Sequence, residues 1–128
     1  MDFARDLSTA ATAALFDDQL LVWDLPSGRV RRTFQVGTYE FAILALSPDG
    51  RLLAAALNPP DRPGRDTMIR IWEIATKREL LRLEPRSSAV RSLAFSRDGK
   101  TLVSGMTDTT VMIWDCSAAH RLSPGPRD

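Results

Sequence analysis

Three tryptophans, Trp23, Trp72 and Trp114, each close a short run of strand-forming residues, and each is followed by an acid. The runs are Leu20-Leu21-Val22-Trp23-Asp24, Ile69-Arg70-Ile71-Trp72-Glu73 and Val111-Met112-Ile113-Trp114-Asp115. They are rich in the β-branched and aliphatic side chains that suit a pleated, half-buried surface. Six residues before each tryptophan stands an aspartate: Asp17, Asp66 and Asp108. One offset kept three times means that a single supersecondary unit is repeated along the chain, which excludes folds without internal repetition.

A second marker precedes the last two runs. Ser47-Pro48-Asp49-Gly50 and Ser96-Arg97-Asp98-Gly99 each join two apolar segments, and Asp-Gly is a strong hairpin signal. Phe41 to Leu46 and Ala89 to Phe95 lie before these turns, and Leu52 to Ala56 and Thr101 to Ser104 lie after them. Each unit therefore reads as strand, Asp-Gly turn, strand, second turn and Trp-ending strand. A small-residue turn follows (Pro26-Ser27-Gly28; Ala75-Thr76-Lys77), then a fourth, more polar strand, Arg29 to Phe34 and Glu79 to Leu83. The two Ser-x-Asp-Gly markers are 49 residues apart, but the last two tryptophans are 42 apart. The middle unit carries the difference, about seven residues, in Asn58-Pro59-Pro60-Asp61-Arg62-Pro63-Gly64-Arg65, whose prolines forbid a regular strand.

A four-stranded unit with a period near 42 residues and a Trp-Asp ending resembles the WD-repeat (WD40) β-propeller family. The residues that carry the resemblance are Trp23-Asp24, Trp72-Glu73 and Trp114-Asp115, the turn pairs Asp49-Gly50 and Asp98-Gly99, and Asp17, Asp66 and Asp108. They cover nearly the whole chain, from about Ala10 to Ala119. The resemblance implies an all-β fold, a partial propeller of about two and a half four-stranded antiparallel blades. Residues 1–40 form an incomplete first repeat, in which Met1 to Ser8 match an innermost strand poorly. Residues 41–85 form the second repeat, with the Pro-rich insertion at 58–65. Residues 86–119 form a third repeat lacking a clear outer strand, and 120–128 a Pro-rich tail. Propellers close with about four to eight blades, so this chain is expected not to close a ring alone. Departures from the family pattern are visible as well. Gly37-Thr38 and Arg86-Ser87 stand where members usually carry Gly-His, and the strand hydroxyl expected opposite the tryptophan is present at Ser104 but replaced by Ala13 in the first unit. The blades are expected to be degenerate and correspondingly less stable.

Charge and reactive side chains narrow the function classes. Seventeen basic residues against 16 acidic ones give a net charge of +1, which argues against nucleic acid or an anionic membrane as partner, because phosphate recognition draws on concentrated Lys/Arg charge. No apolar run approaches the roughly 18 residues of a membrane span, the N-terminus lacks signal-peptide order, and the one cysteine forms no intrachain disulfide; a cytoplasmic protein is expected. His120 is the only histidine, so a His-based triad or multi-His metal site is excluded within one chain. Cys116 has no activating base closer than His120, across an expected turn. Asp17-Asp18 reads as a turn rather than a cation site, and Arg29, Arg31 and Arg32 as a solvated edge strand. No enzyme, no metal and no cofactor is expected.

What the resemblance implies instead is a protein–protein interaction or scaffold module, with a partner on one rim of the blades. By position the rim residues are Phe16, Arg65 and Thr107, then Glu40, Ala42, Ala89 and Arg91, together with Asp61 and Arg62 of the insertion. The module is expected to be a fragment of a larger propeller, and two further readings stay open: self-association that completes the ring, and a remnant of a propeller enzyme or regulatory protein.

Overall fold

A computed structural model of the chain describes residues 2–3, 8–14, 18–37, 39, 41–58, 67–85 and 89–122. Within them the chain forms three antiparallel sheets in which sequence neighbours are spatial neighbours. The first sheet holds β1 (Asp2–Phe3), β2 (Thr9–Ala14), β3 (Gln19–Asp24) and β4 (Arg29–Gln35). The second holds β5 (Phe41–Leu46), β6 (Leu52–Asn58), β7 (Met68–Glu73) and β8 (Glu79–Leu83). The third holds β9 (Val90–Phe95), β10 (Thr101–Met106) and β11 (Val111–Asp115), after which α1 (Ser117–Leu122) follows.

The repeated turn residues close these strands by repeated chemistry. Ser47 Oγ donates to Asp49 Oδ1 (2.6 Å) while accepting the Leu52 N–H (2.9 Å), and Asp49 Oδ1 accepts the Arg51 N–H (3.0 Å). Ser96, Asp98, Lys100 and Thr101 repeat all three bonds at 2.6, 3.0 and 3.0 Å. Gly50 and Gly99 take φ of 74° and 73°, the left-handed conformation this turn requires and glycine adopts without a Cβ penalty. The acid after each tryptophan has a matching task. Asp24 accepts the Ser27 N–H, Glu73 the Thr76 hydroxyl and Asp115 the Ser117 N–H, so each fastens the turn leaving its strand.

The core lies between sheets. On the middle sheet, Leu44, Leu46, Leu53, Ala55, Leu57 and Trp72 pack against Ala11, Leu20, Val22 and Phe34 of the first. From its opposite face Ala45, Leu52, Ala54, Ala56, Ile69 and Ile71 pack against Val90, Leu102 and Met106 of the third. Being covered on both faces, β6 reads as a continuous apolar run, and its alanines let the neighbouring sheets approach. Phe34 and Trp72 meet across the first gap with ring centroids 5.4 Å apart.

In both internal interfaces the tryptophan faces the preceding sheet: Trp72 lies in the core shared with the first sheet, and Trp114 packs against the core shared with the second. The pairing Ala10↔Trp23 puts Trp23 on the face of the first sheet opposite Ala11, Leu20 and Val22, and hence away from the second sheet.

Several expectations are corrected. The hydroxyl of the first unit is Thr12, not absent through Ala13: Trp23 Nε1 donates to Thr12 Oγ1 at 2.9 Å, as Trp114 Nε1 donates to Ser104 Oγ at 3.0 Å. Both hydroxyls sit two residues beyond the tryptophan's direct partner, Ala10 or Leu102. Cys116 is followed by the helix α1, not by a turn, and α1 runs past residue 120 into the segment read as tail. The poorly matching N-terminal segment supplies a two-residue inner strand, Asp2–Phe3, and the Asp2 carboxylate accepts the Leu46 N–H of the second sheet at 2.6 Å.

Candidate functional site

The ends of β2, β6 and β10 and the starts of β3, β5, β7, β9 and β11 lie at one end of the sheets, the end the sequence marks as a rim. Its best described part is on the third sheet. The Thr107 N–H donates to the Ala89 carbonyl (2.9 Å), and the Ala89 N–H donates to Thr107 Oγ1 (3.2 Å). This two-way bond ties the β10–β11 turn to the segment entering β9. Two residues on, Gly105 pairs with Ser92 and Met106 with Val90, which leaves Arg91 as the extra residue of a β-bulge. Arg91 and Thr107 are both exposed, so the structure brings two of the expected rim residues to one end of one sheet. Ala89, by contrast, is 5% exposed and offers no side chain to a partner, while Ala42 is half-buried. Phe16, Glu40, Asp61, Arg62 and Arg65 lie outside the described residues, as do Asp17 and Asp66.

A rim residue that the sequence pattern does not mark is Tyr39. It is buried, and its hydroxyl donates to the Gln19 carbonyl at 2.9 Å, fastening the segment before β5 to the start of β3. The Val36 N–H to the Asp18 carbonyl (3.1 Å) joins the same region, and Asp18 serves there through its backbone. As the only tyrosine in the chain, Tyr39 belongs to no repeat, and the lone signal for it is a large amphipathic ring just before an inner strand. The Asp108 carboxylate accepts the Thr110 N–H (3.0 Å), closing the turn that carries Thr107.

The sheets' outer circumference carries ion pairs of a structural kind. Arg70 and Arg82 both bind Glu79, Arg70 through Nε and one terminal nitrogen, and the Arg70 guanidinium lies 4.9 Å from the centre of the Trp72 ring. Partial burial pushes the Glu79 carboxyl upward, but hydrogen bonds from Arg70 and Arg82 outweigh it and hold the group below its ordinary 4.5. Arg32 is no solvated edge residue: it is half-buried and donates to the Ala75 carbonyl at 3.1 Å, bridging the first and second sheets. Arg29 and Arg31 are exposed as expected.

Cys116 is fully buried, and desolvation, helped by the Asp115 charge, raises its thiol to about 11, so it is not a thiolate near neutral pH. Among the described residues no three His, Cys, Asp or Glu side chains gather to hold a metal, and no helix is long and apolar enough to cross a membrane. The His120 side chain lies outside the described set.

The family model for the WD domain, G-beta repeat, matches residues 29–73 and 78–115. The first match takes in β4, β5, β6 and β7 and the second β8 to β11, so each sequence repeat starts on the outer strand of one sheet and ends on the tryptophan strand of the next. The target of rapamycin complex subunit wat1 of Schizosaccharomyces pombe is 33% identical over 80% of this chain and 31% of its own length. The small ribosomal subunit protein RACK1 of Drosophila melanogaster is 33% identical over 81% of this chain and 33% of its own. Among solved structures, the WD40 repeats of RRP9 superpose with a TM-score of 0.72 at 28% identity, covering 90% of this chain and 34% of that one. The chain thus spans about a third of the length of these relatives.

Proposed function

The chain belongs to the family of WD-domain, G-beta repeat proteins, and from that premise we propose that it is a non-catalytic interaction module whose rim binds a protein partner through Arg91 and Thr107. The observation that carries this reading is the reciprocal bond between Thr107 and Ala89, which fixes the rim before any partner arrives and leaves Arg91 projecting from a bulge. A preorganised site loses less conformational entropy on binding, and arginine is among the residue types that dominate interface energetics. Two relatives are named as members of larger assemblies, a target of rapamycin complex and a small ribosomal subunit, which supports a scaffolding role. In this reading Phe16, Glu40, Asp61, Arg62 and Arg65 belong to the same contact surface. The buried, thiol-form Cys116 and the near-neutral charge support a non-catalytic protein acting on other proteins rather than on nucleic acid or lipid, and the lone cysteine suits the cytoplasm.

The test is comparative. A partner captured with the tagged chain is purified, and its Kd is measured against the wild type, a double variant Arg91→Ala/Thr107→Ala and a control, Arg29→Ala, on the outer strand. Loss of a central arginine contact costs more than about 1.4 kcal/mol at a hot spot, so the rim variant is expected to bind at least roughly tenfold more weakly. Equal loss from the control, or none from the rim variant, would contradict the assignment.

A further inference from the structure

The first and second sheets pack on each other, and the outer edge of the seam between them gathers positive charge from both. On the first sheet, the outer strand β4 contributes Arg31, exposed as the extra residue of a bulge, and Arg32 beside it. Arg32 donates to the Ala75 carbonyl (3.1 Å), which fixes β4 against the turn between β7 and β8. That turn contributes Lys77 and Arg78, both exposed, and the Lys77 ammonium lies 6.0 Å from the centre of the Phe34 ring of β4. Further along, on the Trp72 face of the second sheet, Arg70 and Arg82 share the single carboxylate of Glu79, which leaves that group with one net positive charge.

Little in the seam offsets these cations. Among the described residues no carboxylate pairs with Arg31, Lys77 or Arg78. Glu73 is buried opposite Leu52, on the face turned to the third sheet, and Asp24 stands opposite Arg29, whose charge it offsets. Lys77 itself marks the place. Its amide donates to the Glu73 carbonyl (2.8 Å) as the Gly28 amide donates to the Asp24 carbonyl (2.8 Å), so the two residues hold equivalent positions in equivalent turns. Both are left-handed, with φ of 64° and 72°. Glycine takes that conformation freely, whereas a lysine there carries backbone strain that closing the turn does not require, since Gly28 closes its own without it.

We infer that this strip, Arg31, Arg32, Lys77 and Arg78, binds a segment of a protein partner rich in Asp and Glu, laid along the seam so that its carboxylates meet the cations of both sheets. Guanidinium forks match carboxylates in planar, bidentate geometry, and the ammonium adds a point charge beside them. Single-stranded nucleic acid is held instead by stacking its bases on exposed aromatic faces between cations. The two rings of this seam, Phe34 and Trp72, are buried, with Lys77 and Arg70 lying over them. The β7–β8 turn stands at the end of the sheets opposite the rim, so the strip is a second contact surface and does not rest on the assignment of Arg91 and Thr107.

Fluorescence anisotropy of a labelled peptide of alternating Glu and Asp, titrated with the full chain, tests it. The wild type is expected to bind, with an affinity that falls as salt is raised. Arg31→Gln/Lys77→Gly is expected to bind at least roughly tenfold more weakly, because two charge-assisted contacts are lost. Its thermal midpoint is expected to be no lower than that of the wild type, since Arg31 is exposed and glycine suits the left-handed turn position. Should it unfold, Arg31→Gln/Arg78→Gln replaces it. Arg29→Ala/Arg97→Ala removes the same charge from exposed positions elsewhere and is expected to bind as the wild type does. No binding by the wild type, or an equal loss in the Arg29/Arg97 control, overturns the inference. So does an oligouridylate that binds the wild type as tightly as the peptide and loses its affinity in the strip variant, which would make the strip a nucleic-acid surface.

Discussion

Ser47 and Ser96 hold equivalent places in equivalent turns, yet their surroundings differ. Ser47 is fully buried and its hydroxyl receives the buried Leu52 N–H, whereas Ser96 is half-buried and receives the half-buried Thr101 N–H. Ser47→Ala leaves a donor stranded away from water, so we expect a loss of about 1–3 kcal/mol, against about 0.5–1.5 kcal/mol for Ser96→Ala, in denaturant titrations. Equal losses would show that the burial difference is not felt. Two carboxyls set the acid limit. Asp98 is held below its ordinary 3.8 by the Ser96 hydroxyl and the Lys100 N–H. Glu79, although burial works the other way, is held below 4.5 by Arg70 and Arg82. Both folded values are depressed, so their contribution is fully present above the unfolded values and is lost as pH falls through the folded ones. Tm is expected to hold from pH 7 to about 5 and to drop below about 4, with a shallower drop in Glu79→Gln. A Tm that rises on acidification would contradict the pairings. At this scale the turn residues were legible in the sequence because their chemistry is local. The partner of Trp23 was not: Ala13 and Thr12 differ by one position, and only the pairing Ala10↔Trp23 decides which of them faces the indole.

At the scale of elements, β6 is the strand whose composition is most tightly bound to its place. Ala54 and Ala56 face the third sheet and Ala55 the first, all with no exposed surface, so the spacing of three sheets depends on three methyl groups. Ala54→Leu forces extra volume into a closed interface and is expected to cost about 1–3 kcal/mol by chemical denaturation, while a change in midpoint of less than half that would mean the sheets pack loosely. The six inner and middle strands of the second and third units were readable from apolar runs punctuated by Asp-Gly, and the polar outer strands β4 and β8 from the small-residue turns before them. Their bulges, which leave Arg31 and Leu80 unopposed beside the tryptophan strand, were not, since a bulge shows only in pairing. The helix α1 escaped because Ser117-Ala118-Ala119-His120-Arg121-Leu122 carries too few residues for a helical period, and its docking is tertiary: Ala119 is buried in the core shared by the second and third sheets. The inner strand β1 escaped because two residues show no alternation at all.

At the largest scale the described residues form three sheets side by side, with the middle one serving both others as core. The repeat period already implied that arrangement, with consecutive blades packed face to face. Position along the repeat pointed to Arg91 and Thr107, both exposed, but gave no sign of Tyr39, which belongs to no repeat, or of the burial of Ala89. The offset between sequence repeat and sheet makes β4 and β8 shared property, each the first strand of one repeat and the last of a sheet, so that neighbouring sheets are tied by the chain as well as by packing. Residue-resolved amide hydrogen exchange tests this architecture most directly, since protection follows local burial and opening. The slowest exchange is predicted for β6 and β7, from Leu53 to Leu57 and from Ile69 to Trp72, with the outward amides of the edge strands β4 and β11 faster by orders of magnitude. Slowest exchange in the first or third sheet, or uniform protection across all three, would contradict a fold organised around its middle blade.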